Sequence, residues 1–305
     1  MPRIVLWIWR VCAVHYAIGA AVYLHYLFTG GYRYLNLYFL TLGTLFFLSA
    51  TATEFFLSFE CRSGFEADEP MRMAWTFIGL ASLARFAAAA LVALDHWRNS
   101  ISAGQSSVLT IVLPKDIAQT GEVIGGPVAM IFLAIGLSRV LFIQHRFGVL
   151  RGLKRSDKVL IGLIILFMFG EFANIVRYLG PSYPRPSWTR VVLWTSDPLL
   201  ALLLVQAVLI RRSASRVGLG LVSQCWGMYV IAIVTTLAGD ASIWAAGEKL
   251  LSEPLLALTW YVWFFAAAAF ATAPAYQLAA MKLPFTRRGR IRQTQPDPQV
   301  HENSS

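Results

Sequence analysis

Apolar runs of membrane-spanning length recur eight times along this chain, and they limit its fold more than any other feature. A spanning helix needs about 20 mostly apolar residues. Stretches that meet this rule fall at roughly 4–28, 33–58, 72–97, 122–144, 157–179, 189–211, 217–241 and 254–281. No water reaches backbone groups inside a bilayer, so such runs must close their hydrogen bonds within each segment as helices. The expected fold class is therefore all-α: a polytopic integral membrane bundle of about eight transmembrane helices over residues 1–283. A basic, disordered tail follows at 284–305. Charged residues make up only 14% of the chain, against about 25% in soluble domains, which excludes a soluble α/β core. Three well-separated cysteines, Cys12, Cys61 and Cys225, form no CxxC pair and imply neither a disulfide framework nor a zinc site.

The first run carries some marks of a signal peptide: Arg3, an apolar stretch, and the small residues Ala17, Gly19, Ala20 and Ala21. Arg10 and His15 interrupt it, which favours retention as a helix; cleavage would leave seven spans. The net charge of +10 is concentrated in a few segments. Five Lys/Arg lie between His145 and Lys158, three in Arg211–Arg216, and five between Lys282 and Arg292. With alternating helices these three segments share one side, which the positive-inside rule makes cytoplasmic together with both termini. The acidic loop Glu60–Met71 falls on the same side, and acidic residues count little in that rule. The basic excess then serves topology and attraction to anionic lipid at the cytoplasmic face, not nucleic acid. A bacterial inner membrane is the expected location.

One short segment occurs twice. Ser196-Asp-Pro-Leu-Leu-Ala-Leu202 matches Ser252-Glu-Pro-Leu-Leu-Ala-Leu258. Ser, an acidic residue and Pro together form a helix-start signal. The second copy begins a run of ordinary spanning length. The first falls inside the run 189–211, where Pro198 is expected to kink the helix or to start a half-helix within the membrane.

Ionisable residues at membrane depth are costly and are functional candidates by default. Counted from the cytoplasmic end of each run, Arg85, Glu171 and Asp197 come to about 20 Å by helix rise, and His15 to slightly less. Four helices thus contribute to one expected layer. Arg85 offsets one carboxylate, so a proton, a protonated His15 or a bound cation must balance the other. Asn174 shares the face of Glu171 at i, i+3. Arg10, Glu54 and Arg139 form a second expected layer about 8 Å in, where side chains reach the headgroups. Thr41, Thr44, Thr51 and Glu54 make a polar stripe on the second helix, consistent with a lined cavity. Gly125-Gly126-Pro127 marks an expected kink in the fourth.

Several chemistries lack their residues. Retinal needs a lysine inside a helix, and Lys115, Lys154, Lys158, Lys249 and Lys282 all fall in loops or at ends. There is no GxSxG, HExxH or P-loop motif. No cofactor or metal is required; His25 and His96 are the one pair placed for a bis-His haem. Three functional readings follow. The first is binding or movement of a small solute or cation, proton-linked, by Glu171, Asp197, Arg85, His15 and Asn174. The second is an enzyme using carboxylic acid/base chemistry on a lipid or isoprenoid. The third is a non-catalytic anchor or scaffold subunit.

Overall fold

The computed structural model describes residues 1–103, 120–121, 123–149, 155–179, 192, 194–247 and 253–282. Every regular element among them is helical. Eight helices run in chain order: α1 (Arg3–Thr29), α2 (Tyr32–Ser63), α3 (Pro70–Ala103), α4 (Ile124–Arg146), α5 (Arg155–Leu179), α6 (Ser196–Arg216), α7 (Gly220–Gly247) and α8 (Glu253–Met281). Seven of them contain, among the described residues, a segment long and apolar enough to cross a membrane, so the chain is a multi-pass membrane protein. α5, 25 residues long, has the described apolar stretch Ile161–Gly170. The tail 284–305 and most of the long loop after α3 lie outside the described residues.

Six of the helices close a ring through their contacts. α2 packs on α3, α3 on α4, α4 on α6, α6 on α7, α7 on α8, and α8 back on α2. α1 lies outside the ring against α8 and α2, and α5 packs outside it on α6. α8 is the most enclosed helix, with 78% of its apolar window buried. Its Ala266–Ala269 run explains this: four consecutive methyl side chains let neighbouring backbones approach closely. The interior is filled with rings, including Trp75, Trp226, Tyr229 and Phe270. α1 and α5 instead carry exposed apolar side chains such as Trp7, Val14, Leu163 and Leu166, as lipid-facing helices do.

Local chemistry sets the helix ends. α1, α4 and α6 finish at Gly30, Gly148 and Gly218, whose φ angles of 67°, 66° and 73° are left-handed and disfavour any side chain. Two π-turns interrupt the ladders, at Phe39–Gly43 in α2 and Ile124–Val128 in α4. The second contains the Gly125-Gly126-Pro127 step, where one extra residue per turn accommodates the missing N–H of Pro127.

Of the two expectations for Pro198, the structure has it at the start of a helix and not at a kink: α6 opens at Ser196 and Pro198 lies in its first turn, where its absent N–H is no loss. Residues 189–191 and 193 of the expected run lie outside the described residues. The two copies of the Ser–acid–Pro segment act alike, one opening α6 at Ser196 and the other opening α8 at Glu253.

The α3–α4 crossing gives the first prediction. A Cβ on Gly136 would stand 2.8 Å from Ile78 Cγ1, 3.1 Å from the Ala74 carbonyl oxygen and 3.2 Å from the Ile78 nitrogen. Backbone cannot yield as a side-chain tip can, so Gly136→Val should destabilise by about 1–3 kcal/mol. Gly162→Ala on α5 meets nothing within 4 Å and should leave stability unchanged or slightly raised. Thermal unfolding of both variants in one detergent checks the contrast.

Candidate functional site

Among the described residues, a buried ion pair joins α2 and α3 inside the ring. Arg85 on α3 grips the Glu54 carboxylate with two nitrogens: Nε donates to Oε2 at 3.0 Å, and Nη2 donates to Oε1. Ser82, one turn away, donates to Oε1 at 3.1 Å, and Ser58 meets Ser82 at 3.2 Å. The guanidinium also sits 4.2 Å from the centroid of the Phe270 ring on α8. The Glu54 side chain is 1% exposed and that of Arg85 13%. A bidentate pair with added hydroxyl and ring contacts is the arrangement that makes buried charge tolerable.

This corrects the expected layering. Glu54 does not reach toward headgroups but pairs with Arg85; the side chain of Glu171 lies outside the described residues. The reason is the stagger of the α2–α3 hairpin. Arg62 bonds Thr76, which lies six residues after Pro70 at the start of α3. α3 thus overshoots the end of α2 by about 9 Å. Depth counted from helix ends misplaced each partner by part of that offset.

His15 is buried for a different reason. Its ring stacks on Phe46 at 4.1 Å and on Tyr38 at 5.3 Å, with Phe264 edge-on at 4.9 Å. The Tyr38 hydroxyl lies 2.9 Å from its Nε2. Tyr16 and Tyr261 extend the cluster. The Tyr16 hydroxyl donates to the Tyr261 carbonyl, and the Tyr261 hydroxyl donates to the Gly19 carbonyl at 2.8 Å. His15 therefore fastens α1 to α2 and α8 within an aromatic cage.

The threonine stripe on α2 is spent locally. Thr41 and Thr51 donate to carbonyls four residues back, at 2.6 and 2.9 Å, and Thr44 to the Phe39 carbonyl at 2.8 Å. The cavity beside Thr44, walled by Phe39, Phe47, Trp260 and Phe264, measures about 20 Å³. That is room for one water and not for a solute.

Asp197 is in the first turn of α6, at the end of the bundle opposite the basic loops. Its carboxyl stands close to that of Asp240 on α7. Trp263 on α8 donates its indole N–H to Asp240 Oδ1 at 3.2 Å. Gly239 admits that ring, since a Cβ there would overlap the indole nitrogen. Two further buried hydroxyls adjoin these residues in sequence without hydrogen-bond partners: Ser196 Oγ, next to Asp197, and Thr259 Oγ1, one turn from Trp263. Three helices thus bring together two carboxyls and an indole donor. Two carboxyls this close either share a hydrogen or, both ionised, repel each other.

Of the expected site residues, the structure gives Asp197 a carboxyl partner, commits Arg85 to Glu54, and encloses His15 in rings. Glu171 and Asn174 lie on α5, but their side chains fall outside the described residues, as does that of His96. His25 contacts Thr29 and Tyr34. Asp240 and Trp263 were not anticipated. A signal for Asp240 was present: Asp197 lies 19 residues before Arg216 and Asp240 lies 20 after Gly220, so an antiparallel hairpin brings them level. No protein family, curated protein or solved structure matches this chain.

The ion pair sets the second prediction. Glu54→Leu or Arg85→Met alone strands a buried charge and should cost about 3–5 kcal/mol. The double variant Glu54→Leu/Arg85→Met should recover most of that loss. Equilibrium unfolding of the three proteins in mild detergent measures the recovery as a double-mutant cycle.

Proposed function

We propose that this protein binds a small solute or cation, in exchange with a proton, at the Asp197–Asp240 pair. The basic loops would lie in the cytoplasm and the pair on the opposite side. The observation that supports this reading is the approach of two carboxyl groups, one from α6 and one from α7. A hydrogen held between them is the one that an arriving cation or solute amine would displace. The Trp263 indole favours negative charge on Asp240 and orients its carboxyl. The positive end of α6 similarly favours an anion at Asp197.

The site suits exchange better than Glu54 and Arg85 do. That pair is mutually neutral, bidentate and enclosed, so its members have no unmet charge to offer. At the Asp197–Asp240 pair, loss of the shared hydrogen leaves two adjacent negative charges, and a cation relieves their repulsion. Binding and deprotonation are therefore coupled by charge alone.

Two measurements test the reading. Infrared difference spectra across pH should show a carboxylic-acid band that disappears in both Asp197→Asn and Asp240→Asn. Proteoliposomes loaded with a pH-sensitive dye and given a sodium or potassium gradient should show proton movement. Either substitution should reduce it to the protein-free leak with unchanged melting temperature. Proton movement that persists undiminished in both variants would remove the pair from the mechanism. A missing acid band would remove the shared hydrogen.

A further inference from the structure

A groove runs along the outside of the ring between α4 and α6, and it has no role in the site above. It encloses about 580 Å³. Ile131, Ile135, Leu199 and Leu202 form an apolar wall, while Ser138, Arg139 and Gln206 bring polar groups to it. From Ile131 to Phe142 the α4 side extends about 16 Å by helix rise, roughly half the hydrocarbon thickness.

The polar groups are unevenly satisfied. Gln206 is only 7% exposed, and its Nε2 donates to Ser138 Oγ at 2.8 Å. Because Ser138 accepts that bond, its own hydrogen is turned away from Gln206 and is free to donate into the groove. The Gln206 amide oxygen has no partner. Arg139 is exposed and makes no ion pair or hydrogen bond among the described residues. It stands seven residues from Arg146, the end of α4. That is about 10 Å of rise, within reach of the headgroup level for an arginine side chain.

A cation without a protein counter-ion, at the rim of an apolar groove open to hydrocarbon, calls for an anion that brings its own apolar chain. We propose that the α4–α6 groove is a binding site for one anionic phospholipid of the bilayer. Its acyl chain lies along the wall of Ile131, Ile135, Leu199 and Leu202. Its phosphate pairs with Arg139, and the hydroxyl of Ser138, one residue deeper, donates to an acyl-ester carbonyl. A soluble anion has no reason to enter the apolar wall. An apolar helix of another protein would cover Arg139 and leave its charge unpaired, which costs far more than it gains.

The test uses the full chain in a neutral detergent, with native mass spectrometry and added phosphatidylglycerol or phosphatidylcholine of matched acyl chains. One phosphatidylglycerol should bind in preference to phosphatidylcholine. Arg139→Gln should weaken it about fivefold, the effect of one arginine near an anionic lipid headgroup. Leu202→Trp, which fills the wall, should displace both lipids from this position. Arg146→Gln, at the same basic end but outside the groove, should leave the tight adduct intact. The proposal is overturned if Arg139→Gln binds as the parent does, or if Arg146→Gln weakens binding equally, which would indicate diffuse surface charge. Competition by inorganic phosphate would make it a soluble-anion site. A dimer that excludes the lipid would make the groove an interface between copies of this chain.

Discussion

The Arg85–Glu54 pair is the interaction on which the rest of the bundle depends. In a membrane interior, apolar packing alone does not distinguish one helix register from another, because lipid tails are as apolar as leucine. A buried arginine does distinguish them. Arg85 needs Glu54 on α2, and its guanidinium lies over Phe270 on α8. One side chain thereby sets the stagger of the α2–α3 hairpin and the depth of α8 between them. Ser58 and Ser82 continue the same contact line one turn further along. A slip of one turn would separate the charges and strand both in low dielectric.

With that register fixed, α8 organises the half of the molecule that holds His15 and Asp240. Its rings meet those of α1 and α2 around His15, and its Trp263 reaches across α7 to Asp240. The helix has little amphipathic character of its own because it is enclosed on most sides. Its polar atoms are directed to particular partners, such as the Pro274 carbonyl that accepts from Cys61 Sγ at 3.4 Å. The ion pair and the carboxyl pair differ in kind. The first is complete in itself and holds helices together. The second, two like-charged groups side by side, would need a proton or a cation to be complete, and the proposed exchange rests on that.

The helices were legible in the sequence because each depends on local composition: a run of apolar residues, a start signal, a glycine at the end. The start signal Ser196-Asp197-Pro198 opens α6 as such a signal should. The candidate site was less legible. His15, Arg85 and Asp197 were recognisable as ionisable groups in apolar runs, but their partners were not, because depth was counted from helix ends. The α2–α3 arms are offset, so that count separated Arg85 from Glu54. The α6–α7 arms are nearly flush, so the same count would have joined Asp197 to Asp240 had Asp240 been read as part of its helix and not of the following loop.

The sequence by itself determined that this chain is a multi-pass helical membrane protein, because bilayer thickness and backbone hydrogen bonding leave apolar runs of this length no other form. It also determined which residues would be costly to bury. Only the tertiary structure decided how each cost was met: Glu54 by Arg85, His15 by Tyr38 and the surrounding rings, Asp197 by Asp240. Pairing depends on the stagger and rotation of helices about one another. Those are set jointly by contacts between segments distant in the chain, and no local pattern encodes them.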